Sequence, residues 1–299
     1  MQPIRLSKSD KTLLFIFHGT IFVLFLMVLY PLIYVISCSV SDPDLVASGR
    51  IWLIPKGLNI LGYKRVFQDP SIITGYRNTL IYTLTGTFIS LLVTVPAGYA
   101  LSKSFIPGRN FFMGFFLFTM YFHGGLIPSF LLMRSLKLYN TPYILILLGA
   151  FSMYNCIICR TFFQAIPKEM EEAALIDGAS PVRTFLTIVL PISQALMGVM
   201  ILYFAIGQWN SYFPALVYLT KEELYPLQLV LRKILILDSA SEAMMAAGDG
   251  GDEYLAELYK VRELIKYSVI VVSSLPMLCL YPFLQKYFAK GVMIGSLKG

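Results

Sequence analysis

Long apolar runs separated by short polar stretches set the pattern of this chain. The first run, LLFIFHGTIFVLFLMVLYPLIYVISCSV, fills residues 13–40. A helix crossing a bilayer needs about 20 consecutive apolar residues, so this run predicts a membrane span. Pro31 is expected to kink it, which membrane helices tolerate. Arg5, Lys8 and Lys11 precede the run as they would in a signal peptide, but the apolar core of a signal peptide is only about 7–15 residues long. The span is therefore read as uncleaved. Further spans are predicted at 78–101, at 110–133 with HGGLIPS interrupting it, at 140–164, at 184–207 with Pro191 inside it, and at 264–285.

The polar stretches between these runs give the rest of the layout. Residues 41–77, with SDPD, Trp52, Pro55 and Gly57, read as a first external loop, and SKSFIPGRN reads as a short basic turn. Residues 208–263 form a long mixed external segment. In it ELYPLQLVLRKILIL is an apolar run of helix-like length, and GDGGDEYLAELYKVRELIKY reads as a flexible turn before a helix. The expected fold is all-α: a polytopic membrane protein with six transmembrane helices, residues 1–12 as an N-terminal tail and 13–299 as a single transmembrane domain.

Composition agrees with this layout. Mean hydropathy is +0.70 and only 14% of residues are charged, against about 25% in soluble domains. The net charge of +7 does not point to nucleic acid, because the basic residues lie scattered at the ends of apolar runs and form no stripe. Six spans put both termini on one side, here taken as the cytoplasm. The inside segments then carry Arg5, Lys8, Lys11, Lys103, Arg109, Arg160, Lys168, Arg183, Lys286, Lys290 and Lys298. That is eleven basic residues against five acids, with thirteen against twelve outside. The raw basic count does not favour this orientation; its support is that the inside segments are short, and only short loops count.

Candidate chemistry is sparse. Cys156 and Cys159 in CIIC have the spacing of a redox or metal motif but lack a second ligand pair, and with Cys38 and Cys279 they read as packing residues. Asp249, Asp252 and Glu253 lack the alternating spacing of a calcium loop and read as helix-capping acids. His18 and His123 are the main intramembrane ionisable candidates and read as packed or interfacial. No metal site is expected.

One stretch departs from the apolar pattern. Lys168, Glu169, Glu171, Glu172, Asp177 and Arg183 crowd into sixteen residues between two spans. Pro167 suits a first helical position, and acids follow where the helix dipole favours them. Gly178 suits a left-handed helix end, Ser180 an N-cap, and Pro181 a new first position. The stretch predicts a helix of about 11 residues, a tight break, and a second helix entering the membrane. Met170, Ala173, Ala174 and Asp177 are expected on one face, with Glu169 and Glu172 flanking it. Alanine there permits close approach by a partner. A helix resting on lipid would instead carry bulky apolar and basic residues.

These residues also resemble the EAA signature of bacterial ABC importer permeases. Glu172, Ala173 and Ala174 are followed after three residues by Gly178, and after nine more by Ile188, one residue, then Leu190 and Pro191. AALIDGAS and FLTIVLP resemble the carbohydrate-importer branch, the relatives of the inner maltose permease. HGGLIPSFLLMRSLKLYNTPYILIL and the ending KYFAKGVMIGSLKG resemble its LplC/YtcP-type subgroup. Many relatives carry a proline where Ala195 stands, which touches the bend of the fifth span.

The resemblance implies a type I importer permease in a bacterial cytoplasmic membrane. Its 167–191 region would dock a cytoplasmic ATPase, through Glu172, Ala173, Ala174, Asp177, Gly178, Leu190 and Pro191. It implies a second homologous permease (a heterodimer), two ATPase subunits that use ATP and Mg, and an extracytoplasmic sugar-binding lipoprotein. The chain itself would be non-catalytic and bind no cofactor. Consistent with that, it contains no Gly-Lys dipeptide and so no phosphate-binding loop.

Sugar sites combine aromatic faces with amide and hydroxyl partners. Tyr121, Tyr154, Asn155, Gln208, Trp209, Asn210 and Tyr212 are the candidates, although Tyr and Trp also form interfacial belts. Asn155 is a lone amide in an apolar span, which should face a partner or a cavity. The alternatives are a permease for a non-sugar solute and a gradient-driven transporter. The latter should show an internal repeat or several buried charges, and neither is visible. An intramembrane enzyme would need a catalytic constellation that is not visible either.

Overall fold

The computed structural model describes residues 7–246, 263–280 and 282. Asp249, Asp252 and Glu253, the helix expected after them, and the tail KYFAKGVMIGSLKG lie outside the described residues. Every regular element among the described residues is helical. In chain order they are α1 (Lys8–Ser39), α2 (Pro43–Ala47), α3 (Leu61–Gln68), α4 (Pro70–Ser102), α5 (Arg109–Tyr121), α6 (Leu126–Ser135), α7 (Tyr143–Leu147) and α8 (Met153–Gln164). Then come α9 (Lys168–Ile176), α10 (Pro181–Thr184), a π-helical turn (Phe185–Val189), α11 (Leu190–Ile192), α12 (Gln194–Trp209), α13 (Phe213–Tyr218) and α14 (Leu227–Ala246). The last is α15 (Glu263–Leu280).

The chain divides into two units, residues 1–69 with 231–274, and residues 70–230 with 275–299. In the first, Cys38, Val46 and Ile51 are buried together with Tyr34, whose ring meets Tyr267 edge-on at 5.9 Å. Asp42 caps α2 by accepting from the Asp44 N–H at 2.9 Å. Most of α1 between Leu13 and Leu32 is exposed apolar surface, as a helix in lipid requires. His18 lies on this helix and donates from Nδ1 to its own Leu14 carbonyl at 2.6 Å.

The second unit is built around α4, which packs on α7, α8 and α12. At about 1.5 Å per residue its 33 residues make a helix of about 50 Å, longer than the roughly 30 Å hydrocarbon core. It starts at Pro70, eight residues before the expected span. The early turns anchor the segment after α13. Asn78 donates to the carbonyls of Glu223 (2.7 Å) and Tyr225 (3.1 Å), the Tyr82 hydroxyl donates to Leu224 (3.1 Å), and Thr79 Oγ1 accepts from the Leu227 N–H (2.8 Å). Asn140, at φ 58°, accepts from the N–H groups of Thr220 and Lys221 at 3.0 and 3.1 Å.

The expected spans are less regular than the apolar runs. Among the described residues three helices are long and apolar enough to cross a bilayer: residues 9–39 of α1, α4, and α15. Two bent pairs add up to five if each counts as one crossing: α5 with α6, at 114°, and Pro181–Ile192 with α12, at 85°. The first bend falls at Gly124 and Gly125, where Gly125 takes φ 87°. The second falls at Ser193. Pro191 removes a backbone donor, the turn before it relaxes to π, and Ser193 Oγ donates to the Val189 carbonyl at 2.6 Å. The bend therefore forms with Ala195 two positions beyond it. The expected fourth span is α7 and α8 separated by residues 148–152, where Ser90 Oγ donates to the freed Gly149 carbonyl at 2.8 Å.

The α4–α8 crossing is close. A Cβ on Gly98 would stand 2.5 Å from Cys159 Cβ and 3.1 Å from the Cys156 carbonyl oxygen. Both CIIC cysteines are fully buried at this crossing and act as small packing residues. No cluster of metal-ligating side chains occurs among the described residues. Gly98→Ala should lower the thermal midpoint in detergent by the equivalent of about 1–3 kcal/mol through overpacking. Gly114→Ala on α5, where a Cβ meets nothing within 4 Å, should leave it unchanged or raise it. Equal midpoints would remove the close crossing as a constraint.

Candidate functional site

The charged stretch folds into α9 and α10. Pro167 is the N-cap of α9 and stands one position before its first residue, with ψ 129°. That is the extended conformation an N-cap takes, so the helix is nine residues long and shorter than expected. At its end Asp177 is the C-cap and Gly178 takes φ 78°. The Gly178 N–H donates to Leu175 (3.0 Å) and the Ala179 N–H to Ala174 (2.9 Å), a Schellman pattern. Ser180 Oγ then accepts from the Arg183 N–H at 3.3 Å, with Pro181 first in α10.

The faces of α9 differ from the expectation. Met170, Ala173 and Asp177 are exposed, but Ala174 is 4% exposed. A 100° step separates Ala174 from Ala173; α9 contacts the turn Phe185–Val189, and Ala174 is its one buried residue. Ile176 joins the outer face and is 86% exposed. Sequence reasoning missed it, although its i+3 and i+6 spacing from Ala173 and Met170 is visible in the sequence. Glu172 is also exposed. Its neighbour Glu171 turns inward, pairs with Lys103, and accepts from the Tyr99 hydroxyl at 3.4 Å. Leu190 and Pro191 open α11, at the bend between the π turn and α12.

The second set of candidates differs in exposure. Tyr121 and Tyr154 are exposed. Asn155 is 8% exposed in the first turn of α8, where its N–H donates to the Ser152 cap at 3.3 Å. The Gln208 side chain fills the gap between two glycines, 2.7 Å from a Cβ built on Gly86 and 2.6 Å from one on Gly149. Trp209 is 2% exposed and meets Tyr76 edge-on at 5.8 Å. It borders a cavity of about 340 Å³ walled by Leu84, Phe88, Ile201 and Met277. Only Thr83 and Thr87 bring hydroxyls to those walls, too few polar partners for a sugar. Asn210 and Tyr212, just beyond α12, remain exposed.

Broken apolar helices with a short charged helix between two of them belong to the second unit of this chain. Residues 70–225 match the family described as binding-protein-dependent transport system inner membrane component. Protein LplC of Bacillus subtilis (strain 168) is 38% identical over 269 residues, 90% of this chain and 89% of that protein. The polygalacturonan/rhamnogalacturonan transport system permease protein YtcP of the same organism is 36% identical, over 94% of this chain and 96% of that one. The crystal structure of a bacterial ABC transporter involved in the import of the acidic polysaccharide alginate is similar at 35% identity. Its TM-score is 0.83, and the match covers 96% of this chain and all of that one. The chain belongs to the binding-protein-dependent transport system inner membrane component family and has the fold of an ABC importer permease.

The end of α9 gives a direct check on this geometry. At Gly178 no atom lies within 4 Å of an added Cβ, so the cost of a side chain there is backbone strain alone. Gly178→Val should fray α9 and speed amide exchange over 174–178, while Gly178→Asn, which tolerates positive φ, should change it little. Equal exchange in both variants would contradict the cap.

Proposed function

We propose that this chain is one of two paired permeases of an ATP-driven importer that carries an oligosaccharide across the bacterial cytoplasmic membrane by alternating access. The observation that carries this reading is α9. It is a short helix between two apolar runs, held by its inner face, with Met170, Ala173, Ile176, Asp177 and Glu172 left outward. An outward isoleucine ringed by acids is poorly suited to water and to an anionic lipid surface alike, and it fits a groove on a protein partner. That partner is an ATPase, two copies serving the pair and using ATP and Mg. Gly178, Leu190 and Pro191 hold the outward face in position. Ala174 acts from the inner side.

In this reading the chain crosses the membrane six times with both termini in the cytoplasm. The bent pairs count as the third and fifth crossings, and α7 with α8 as the fourth. The break at 148–152 is tolerable at membrane depth because Ser90 satisfies Gly149. A lipoprotein that binds the sugar delivers it from outside. Asn210 and Tyr212, and the exposed rings of Tyr121 and Tyr154, are the groups on this chain open to sugar or to that lipoprotein. Gln208 and Trp209 are taken up in the chain's own packing, against Gly86, Gly149 and Tyr76. The polysaccharide named for YtcP and the alginate of the solved importer support a carbohydrate cargo.

Purification of the tagged chain in mild detergent, with mass spectrometry of what accompanies it, tests this. A second permease of the same family and an ATPase are expected, and a co-purifying lipoprotein can be screened for glycan binding. Ile176→Glu should lower ATPase recovery about tenfold, as loss of a central interface anchor does, while retaining the second permease. A chain that purifies alone or as a homo-oligomer would refute the assembly, and a lipoprotein that binds only a non-sugar solute would refute the cargo.

A further inference from the structure

Glu171 and Glu172 are adjacent acids with different surroundings. Glu172 is exposed, whereas the side chains of Glu171 and Lys103 are 17% and 14% exposed. Lys103 follows the last residue of α4 and pairs with Glu171 Oε1. The Tyr99 hydroxyl donates to Glu171 Oε2 at 3.4 Å, and the Lys103 ammonium lies 4.5 Å from the centre of the Tyr99 ring. The ring itself is held by Phe185 at 4.7 Å and Phe163 at 5.5 Å. Each of the three groups therefore touches the other two, and the aromatic member is locked by two further elements.

An isolated surface ion pair contributes little. This one is shielded, charge-assisted and braced by a cation–π contact. It also answers a physical need. A helix of nine residues is too short to hold its shape or place unaided, so the position of α9 must be set by ties to longer elements. Ala174 supplies an apolar tie and Glu171 a polar one.

We propose that Lys103, Glu171 and Tyr99 form a fixed tie that makes α9 and the end of α4 move as one body. Glu171 is then a positioning residue for coupling, and Glu172 faces the ATPase. This rests on the reading of α9 as the ATPase-docking helix. A displacement of α9 reaches α4 through the tie, and α4 carries it to α8 and α12.

The test uses the purified importer in liposomes, measuring ATP hydrolysis and uptake separately. Lys103→Glu and Glu171→Lys should each retain the bound ATPase and its hydrolysis, while uptake per ATP falls about tenfold, and the double swap should restore uptake. A second measurement does not depend on the single variants folding. In a Cys279→Ser background, where Cys38, Cys156 and Cys159 are buried, Lys103→Cys with Glu171→Cys is joined by a short thiol crosslinker. A neighbouring cavity of about 490 Å³, bordered by Arg109, Lys168 and Glu172, gives the reagent access. Uptake per ATP should be low in the double-cysteine variant, which lacks the tie, and should recover once the crosslink replaces it. The proposal is overturned if the single variants transport normally, if the swap assembles and hydrolyses ATP without restoring uptake, or if the crosslinked protein hydrolyses ATP without recovering uptake. Absence of an ATPase from the wild-type preparation would instead refute the docking reading itself.

Discussion

The end of α4 fixes the rest of the second unit, and it does so through a close helix crossing. Gly98 lets α8 approach until Cys156 and Cys159 are fully buried. One residue on, Tyr99 packs between Phe163 of α8 and Phe185 of the π turn. At Leu101 the last carbonyls of the helix need partners, and Arg160 Nε donates to it at 3.1 Å, a cation at the negative end of the helix dipole. Lys103 then reaches α9. A larger residue at Gly98 would push α8 away and loosen each of these contacts in turn. The position of the charged helix thus depends on a missing side chain at Gly98, in the last turns of α4.

Polar residues within the apolar helices follow a second constraint. Lipid offers no hydrogen bonds, so every break in a helix must be satisfied by the protein. Ser90 answers the break at Gly149, Ser193 the bend after Pro191, and Asn78 and Tyr82 the irregular backbone of 223–225. Gln208 wedges between Gly86 and Gly149 and holds the same break from its other side. Among the described residues Thr83, Thr87, Thr94 and Thr184 have buried hydroxyls with no hydrogen-bond partner, and all but Thr184 lie on α4. Of the candidate pathway residues, Gln208 and Trp209 are wedged or packed within the chain, whereas Tyr121, Tyr154, Asn210 and Tyr212 stay exposed.

What was legible in the sequence was local. Gly178, Ser180 and Pro181 take the conformations their chemistry favours, and the apolar runs do become helices. The EAA residues led to the right family. What was not legible depended on long-range partners. Nothing in YILILLGAFSM shows that its middle unwinds, because the hydroxyl that permits it lies 59 positions away. Helical periodicity grouped Ala173 with Ala174, and only burial in the folded chain separates them. It set Glu172 beside the outer face but gave Glu171 no partner, since the cation that pairs with it, Lys103, comes from the preceding polar turn. Trp209 read as a surface aromatic and is buried, because α12 turns its last residues back onto α4.

The central claim is that α9 has one face tied inward and one face given to an ATPase. The most direct measurement is hydrogen exchange of the purified permease pair with and without its ATPase. The expected result is new protection over residues 168–178 on adding the ATPase, with little change over 98–103, where the ties already exist. Unchanged exchange over 168–178 in a complex that still hydrolyses ATP would contradict it.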